Sequence, residues 1–260
     1  IATPAHSHFQ LAMQALHHNC HIFIEKPITT RIKEANQIIA LAKKKNRLIQ
    51  VGHIERFNPA FVALLKNKHI KQAPFIQTER LAPFNIRGLD VDVILDLMIH
   101  DIDLLLCIKE KKIKSIHAIG IGVLSETIDL ANARLIFEDN SVANLTASRI
   151  SSKMVRKLRI FNNQAYYSVN LHTHSINQYL VTESPHHQRN NQKAVVSRKN
   201  KILIREKHTF PKQNALYQEL VAFITSIHQE QTTIVDANAG KEALKLALLI
   251  QKKINEHKQK

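Results

Sequence analysis

Over the first fifty positions, the apolar residues alternate between a helical period and short strand-like runs. Phe9, Leu11, Ala12, Ala15 and Leu16 fall on one helical stripe within residues 5–18, and Ile22-Phe23-Ile24 then forms a brief apolar run that Pro27 stops. A second stripe, Ile32, Ala35, Ile38, Ile39 and Ala42, predicts a helix over 31–46, with a strand over 48–51 after it. Ile1-Ala2-Thr3-Pro4 reads as the end of a buried strand, so the order is strand, helix, strand, helix, strand. That rhythm belongs to a parallel sheet with crossover helices.

Beyond Gly52 the rhythm changes. A helix over 59–66, a strand over 75–80 and a strongly apolar helix over 91–108 lead into a series of strand patterns at 115–122, 130–137, 142–148, 158–161, 166–169, 179–182 and 202–208. Glu138-Asp139-Asn140-Ser141 is a turn that makes two of these strands an antiparallel hairpin. Residues 183–200 are polar and basic and predict a loop, and helices over 214–228 and 240–257 end the chain. The expected fold class is α/β: part of a parallel-sheet domain over 1–51, then an α+β domain over 52–260 with an open, mainly antiparallel sheet. The final helix is free to pack back on the first domain.

Composition narrows the classes of function. At 260 residues and 44% hydrophobic content the chain can bury a sizeable core. Cys20 and Cys107 do not make a disulfide framework, and no apolar run is long enough to span a bilayer, so a cytoplasmic protein is expected. The net charge of +16 raises the question of nucleic acid, but the lysines are dispersed. Lys43 to Lys45, Lys109 to Lys112 and Lys252 to Lys260 each close a helical pattern, where cations complement the helix dipole, and no nucleic-acid module is present. Sixteen histidines invite a metal, yet none has carboxylate or thiolate companions at a ligand spacing, and no metal is expected.

Two motifs carry chemistry. Glu25-Lys26-Pro27 follows an apolar strand directly, where open α/β sheets present their ligands. Asp96-Leu97-Met98-Ile99-His100-Asp101-Ile102-Asp103 places Asp96 and His100 four residues apart on one face of an apolar helix, with Asp103 on nearly the same side one turn further. Burying such groups is costly unless they are paired or used. Either motif alone is equally readable as a loop charge, or as a local hydrogen bond between Asp96 and His100.

Taken together, Thr3-Pro4-Ala5-His6-Ser7-His8, Glu25-Lys26-Pro27, the run from Gly52 through Arg56-Phe57-Asn58-Pro59, and the block Asp96 to Asp103 resemble the successive motifs of the Gfo/Idh/MocA oxidoreductases. The resemblance implies a Rossmann domain, a second domain that builds a homo-oligomer, and NAD or NADP as hydride carrier. It implies that Lys26, Asp96 and His100 are catalytic, and that Thr3, Pro4, His8, Glu25, Lys26 and Pro27 meet the cofactor. A base is needed for the hydroxyl proton while hydride leaves the same carbon, which suits His100, with Asp96 orienting it and Lys26 stabilising the oxygen. The Arg56 and Asp96 blocks are similar to the nucleotide-sugar branch, including UDP-N-acetylglucosamine 3-dehydrogenases that serve lipid A. Arg56, Asn58, Arg80, Arg87 and Asp103 are the expected substrate contacts, the arginines gripping a diphosphate.

The chain departs from that pattern at its start. None of its five glycines precedes Gly52, so the Gly-rich phosphate loop is expected upstream of Ile1, in roughly 60 to 70 further residues. A truncated start is the expectation, with weak cofactor binding by these residues alone. The alternative is a non-catalytic remnant that keeps only the substrate and oligomerisation domain. The upstream coding sequence discriminates the two.

Overall fold

The computed structural model describes residues 1–85, 91–163, 165–182, 192–198 and 201–258. Strands β1 (Ile22–Glu25) and β2 (Ile49–Gly52) pair in parallel, with Ile22 opposite Ile49 and Glu25 opposite Gly52. Ile1 runs alongside β1: its amino group donates to the Phe23 carbonyl at 2.7 Å and its carbonyl accepts from the Glu25 amide. The opening residues thus act as the strand end that their apolar character predicts. Helices α1 (His8–His17) and α2 (Ile32–Lys44) connect these elements and bury Ala12, Leu16, Ala35 and Ile38 against Ile24 and Val51.

The second sheet has nine strands: β3 (Phe75–Leu81), β4 (Ile113–Ile121), β5 (Leu130–Phe137), β6 (Val142–Ser148), β7 (Val155–Phe161), β8 (Ala165–Asn170), β9 (Ser175–Thr182), β10 (Gln192–Arg198) and β11 (Lys201–Thr209). Their order is β10-β11-β9-β8-β7-β3-β6-β5-β4, and among these neighbours only β3 and β6 run parallel. The predicted turn joins β5 to β6, with Asn140 in the left-handed region at φ 59°. Period-two patterning gives the sheet two faces. Ala133, Leu135, Leu145, Leu158, Ile160 and Val169 are buried under helices. The other face carries Gln77, Glu79, Asn132, Asn144, Lys157 and Arg159, with a stacked row of Phe75, Phe161, Tyr166 and Tyr179 at centroid spacings of 5.2, 4.5 and 5.1 Å. The residues of that face are only partly buried.

Two expectations are corrected. The basic stretch over 183–200 contains strand β10, which pairs with β11 around a bulge between Ala194 and Val196. Its backbone hydrogen bonds come from the neighbouring strand, so a weak apolar pattern suffices. The single helix expected over 91–108 is a π-helical turn, Ile94–Met98, followed by α4 (Ile99–Ile108). Asp92 accepts from the Ile94 and Leu95 amides at 3.0 and 3.1 Å and anchors its start. The remaining helices are α3 (Pro59–Leu65), α5 (Ala215–His228) and α6 (Ala237–Lys258).

Helix α6 packs across the junction of the two sheets. A side chain at Gly240 would lie 2.6 Å from Val51 Cγ2, so glycine lets the helix approach β2. The Val51 amide also donates to the Val235 carbonyl at 2.9 Å, just before that helix. Buried residues of both sheets and of α4 and α6 belong to one continuous core.

Candidate active site

The two parallel strands end where the chain's reactive groups gather. Lys26 follows β1 and reaches the π-turn, donating to Asp96 Oδ1 at 3.0 Å and to the Asp96 main-chain carbonyl. π-Turns are over-represented at functional sites, and this one turns a backbone carbonyl toward the Lys26 ammonium. Within the same block His100 leaves its Nδ1 buried and without a hydrogen-bond partner among the described residues. His53, directly after β2, is 1% exposed with both ring nitrogens equally unpartnered, and its ring meets that of His100 edge-on at 6.4 Å between centroids.

Electrostatics at this point favour neutral imidazoles. Burial pushes His100 well below its ordinary pKa, and the nearby Lys26 and Arg80 cations add to that. Burial lowers His53 as well, against an opposing pull from Asp103. Each imidazole therefore keeps a lone pair available at neutral pH. The expected bond between Asp96 and His100 is absent among the described residues, because Lys26 takes the Asp96 carboxylate and the wider π-turn alters the four-residue spacing. Asp96 holds Lys26.

Four of the expected substrate contacts are engaged inside the protein. Arg56 grips Asp103 through two bonds of 2.8 Å. Arg80, 3% exposed, grips Asp101 through two bonds of 2.9 Å and gives a third, also 2.9 Å, to Glu55. Asn58 caps α3 by accepting from the Ala60 amide, while its own amide donates to Glu55 and to the Leu171 carbonyl. A bidentate arginine in a buried position needs both carboxylate oxygens nearby, and α4 supplies them to Arg56 and to Arg80. Burial works against the charge on Arg80, but Asp101 and Glu55 outweigh it and hold its pKa above the usual value. Arg87 lies outside the described residues.

Of the residues expected to meet the cofactor, Thr3 and Pro4 are exposed where the first chain segment finishes. His8 is buried and its ring bridges the Pro27 and Thr3 carbonyls at 2.8 and 2.9 Å, so it fixes the backbone on which Thr3 and Lys26 sit and does not line the surface. Pro27 is likewise buried. Glu25 lies across the end of β2, where its Oε2 would be 2.8 Å from a side-chain carbon at residue 52, so a larger residue there would displace the carboxylate. No group of three or more metal-ligating side chains gathers among the described residues.

The sequence reading missed two neighbours. His53 occupies the position after β2 that Lys26 occupies after β1, and that shared place at a strand's C-terminal end was the available signal. Glu219 is fully buried on α5 with both carboxylate oxygens unpartnered among the described residues, and burial, then Glu25 and Asp103, push its pKa up to about 8. Its signal was a carboxylate in register with inward-facing Phe223 and Ser226 on the apolar stripe.

Comparison with known proteins gives the family. Residues 1–53 match the Gfo/Idh/MocA family model, described as an oxidoreductase family with an NAD-binding Rossmann fold. A UDP-N-acetylglucosamine 3-dehydrogenase of Acidithiobacillus ferrooxidans is 31% identical over 250 residues, which cover 96% of this chain and 76% of that protein. Its solved structure superposes with a TM-score of 0.84 over 97% of this chain and 76% of the other. The fold is shared with a scyllo-inositol dehydrogenase from Lactobacillus casei solved with NAD(H) and scyllo-inositol, at 20% identity and a TM-score of 0.72 over 98% of this chain and 77% of that one. With a relative above 30% identity matched over nearly the whole chain, and with the reactive groups at the ends of its parallel strands, this protein belongs to the NAD-binding Gfo/Idh/MocA oxidoreductase family.

Proposed function

We propose that the protein is a dehydrogenase that oxidises a secondary hydroxyl of a nucleotide sugar to a ketone, with UDP-N-acetylglucosamine at C3 as the first candidate. The observation that carries this reading is the convergence of Lys26, Asp96 and His100, with Lys26 locked to Asp96 at 3.0 Å beside an imidazole whose Nδ1 has no partner among the described residues. The nucleotide sugar is suggested by the relative of 31% identity, which bears that activity.

A nicotinamide cofactor, when bound, supplies the hydride acceptor. Exposed Thr3 and Pro4, the Glu25 carboxylate and Lys26 would hold it, a polar set suited to a carboxamide and ribose hydroxyls. His100 accepts the proton of the substrate hydroxyl, since its neutral form prevails at physiological pH. Lys26 donates a hydrogen bond to the same oxygen and stabilises the charge that develops there, while Asp96 fixes the ammonium. Residues up to about 51 form the cofactor side and those from 52 onward the substrate side, with α6 bracing the two. The open face of the large sheet, with its row of stacked aromatics, is the surface for self-association.

The test is a trial of UDP-N-acetylglucosamine with NAD and with NADP, following reduced nicotinamide by absorbance. Turnover of the nucleotide sugar is the expected result. Turnover of a free sugar or inositol, with none of the UDP sugar, would replace this substrate class. Loss of activity as pH falls should come below about 6.5, because His100 must first be protonated and its environment resists that.

A further inference from the structure

With Arg56 and Arg80 committed to carboxylates, the anionic part of a nucleotide sugar needs another grip. A cavity of about 720 Å³ lies against the same frame, bounded by Glu55 on one wall and by Arg156, His172, His174, Lys212 and Asn214 around it. Its size lies within the range of small-ligand sites. Its character is distinctive, because the five other side chains can all donate to an anion and the one carboxylate is spent. Glu55 Oε1 accepts from Arg80 at 2.9 Å and Oε2 accepts from Asn58 at 3.1 Å.

Arg156 rises from β7 and touches Glu55 through one nitrogen at 3.4 Å, with its side chain 41% exposed. The rest of its guanidinium has no other side-chain partner among the described residues, which leaves a forked donor facing the cavity. Lys212 has no acidic partner among them either. The cavity is also met by the N-terminus of α5, a fourteen-residue helix with no acidic residue in its first turn, so the helix dipole adds to the cations. The site connects to the reaction centre through short contacts: Arg156 to Glu55, Glu55 to Arg80, Arg80 to Asp101, and Asp101 adjoins His100 in the chain.

We propose that this cavity is the diphosphate subsite of the substrate, with Arg156 and Lys212 holding phosphate oxygens and the imidazoles of His172 and His174 completing the donor set. The assignment rests on the nucleotide-sugar reading above and explains how a substrate could place its anion beside, and not inside, the ion-paired frame. Specificity follows: a sugar lacking phosphates leaves this cationic surface unneutralised and should bind poorly.

The test measures binding of UDP and of inorganic pyrophosphate by calorimetry to the wild-type protein, Arg156→Ala and Lys212→Ala, with KM and kcat for UDP-N-acetylglucosamine in parallel. Each substitution should weaken UDP binding roughly 10-fold, the scale of one charge-assisted bond, and raise KM with little change in kcat. Arg156→Lys should recover part of the loss. Lys212 is exposed and has no hydrogen-bond or ion-pair partner among the described residues, so its variant reads the site even if Arg156→Ala disturbs folding. Unchanged UDP affinity in Lys212→Ala and in a folded Arg156→Ala would overturn the subsite while leaving the nucleotide-sugar reading standing. If UDP fails to bind but pyrophosphate binds the wild type and not Lys212→Ala, the anion subsite holds and the nucleotide-sugar reading falls. If neither ligand binds, the subsite is refuted, and turnover alone then judges the substrate.

Discussion

Two sets of buried polar groups lie side by side around α4, and they differ in whether they are answered. Asp101 and Asp103 each receive both arms of an arginine, and Asp129, nearby on β5's approach, accepts from the Val123, Leu124 and Ser125 amides and from Arg149. His53, His100 Nδ1 and Glu219, within the same neighbourhood, have no partners among the described residues. A native fold tolerates few unanswered buried groups, so a cluster of them makes this neighbourhood the candidate for ligand or proton exchange. The ion pairs are satisfied within the frame, and the imidazoles beside them are the groups the proposed chemistry would use.

The sharpest way to break that distinction is His100→Asn. If the unpartnered set is chemical, the variant should keep its fold and lose turnover by about 10²- to 10⁴-fold, the range for removing a general base. Asp96→Asn should be milder and should act through Lys26, whose ammonium it would no longer hold by charge. A folded His100→Asn enzyme with unchanged turnover on its true substrate would take His100 out of the mechanism and leave Lys26 as the proton acceptor.

On the other side of the comparison stands Arg80→Met. Removing the guanidinium leaves Asp101 and Glu55 facing one another in the core, which costs about 3 to 5 kcal/mol when one partner of a buried pair is lost. Urea unfolding should show that loss directly. Near-normal stability with a raised KM would return Arg80 to the substrate, as its sequence position suggested.

How far the sequence reaches is visible in these same residues. The strand-helix rhythm to residue 51 and the β5–β6 hairpin were legible because period and turn chemistry are local. Lys26 and His100 stood out only through the family resemblance, since either motif alone reads equally well as a loop charge or a local hydrogen bond. Which carboxylate each arginine meets was not legible, since Arg56 and Asp103 are 47 residues apart and Arg80 and Asp101 are 21 apart, joined only by packing. Strand β10 was missed for the same reason, its pairing being set by β11 and not by its own composition.

Glu219 offers a finer test of the unanswered set, through stability and not rate. Its folded-state pKa of about 8 stands above the ordinary glutamate value of 4.5, so the folded protein retains a proton that the unfolded chain has released. Folding then takes up a proton throughout that window. Stability is fullest below pH 4.5, as far as this group decides it, and falls as pH rises toward 8, where the buried carboxylate must ionise without a partner. Glu219→Gln removes the titration and keeps the shape. Its advantage over wild type should be small at pH 5 and grow to the order of 2 kcal/mol by pH 8.5, or about 4 to 8 °C in melting temperature for a chain of this size. Melting curves across that range decide the matter: a difference that stays constant with pH would mean that Glu219 does not titrate there and already has a partner for its charge.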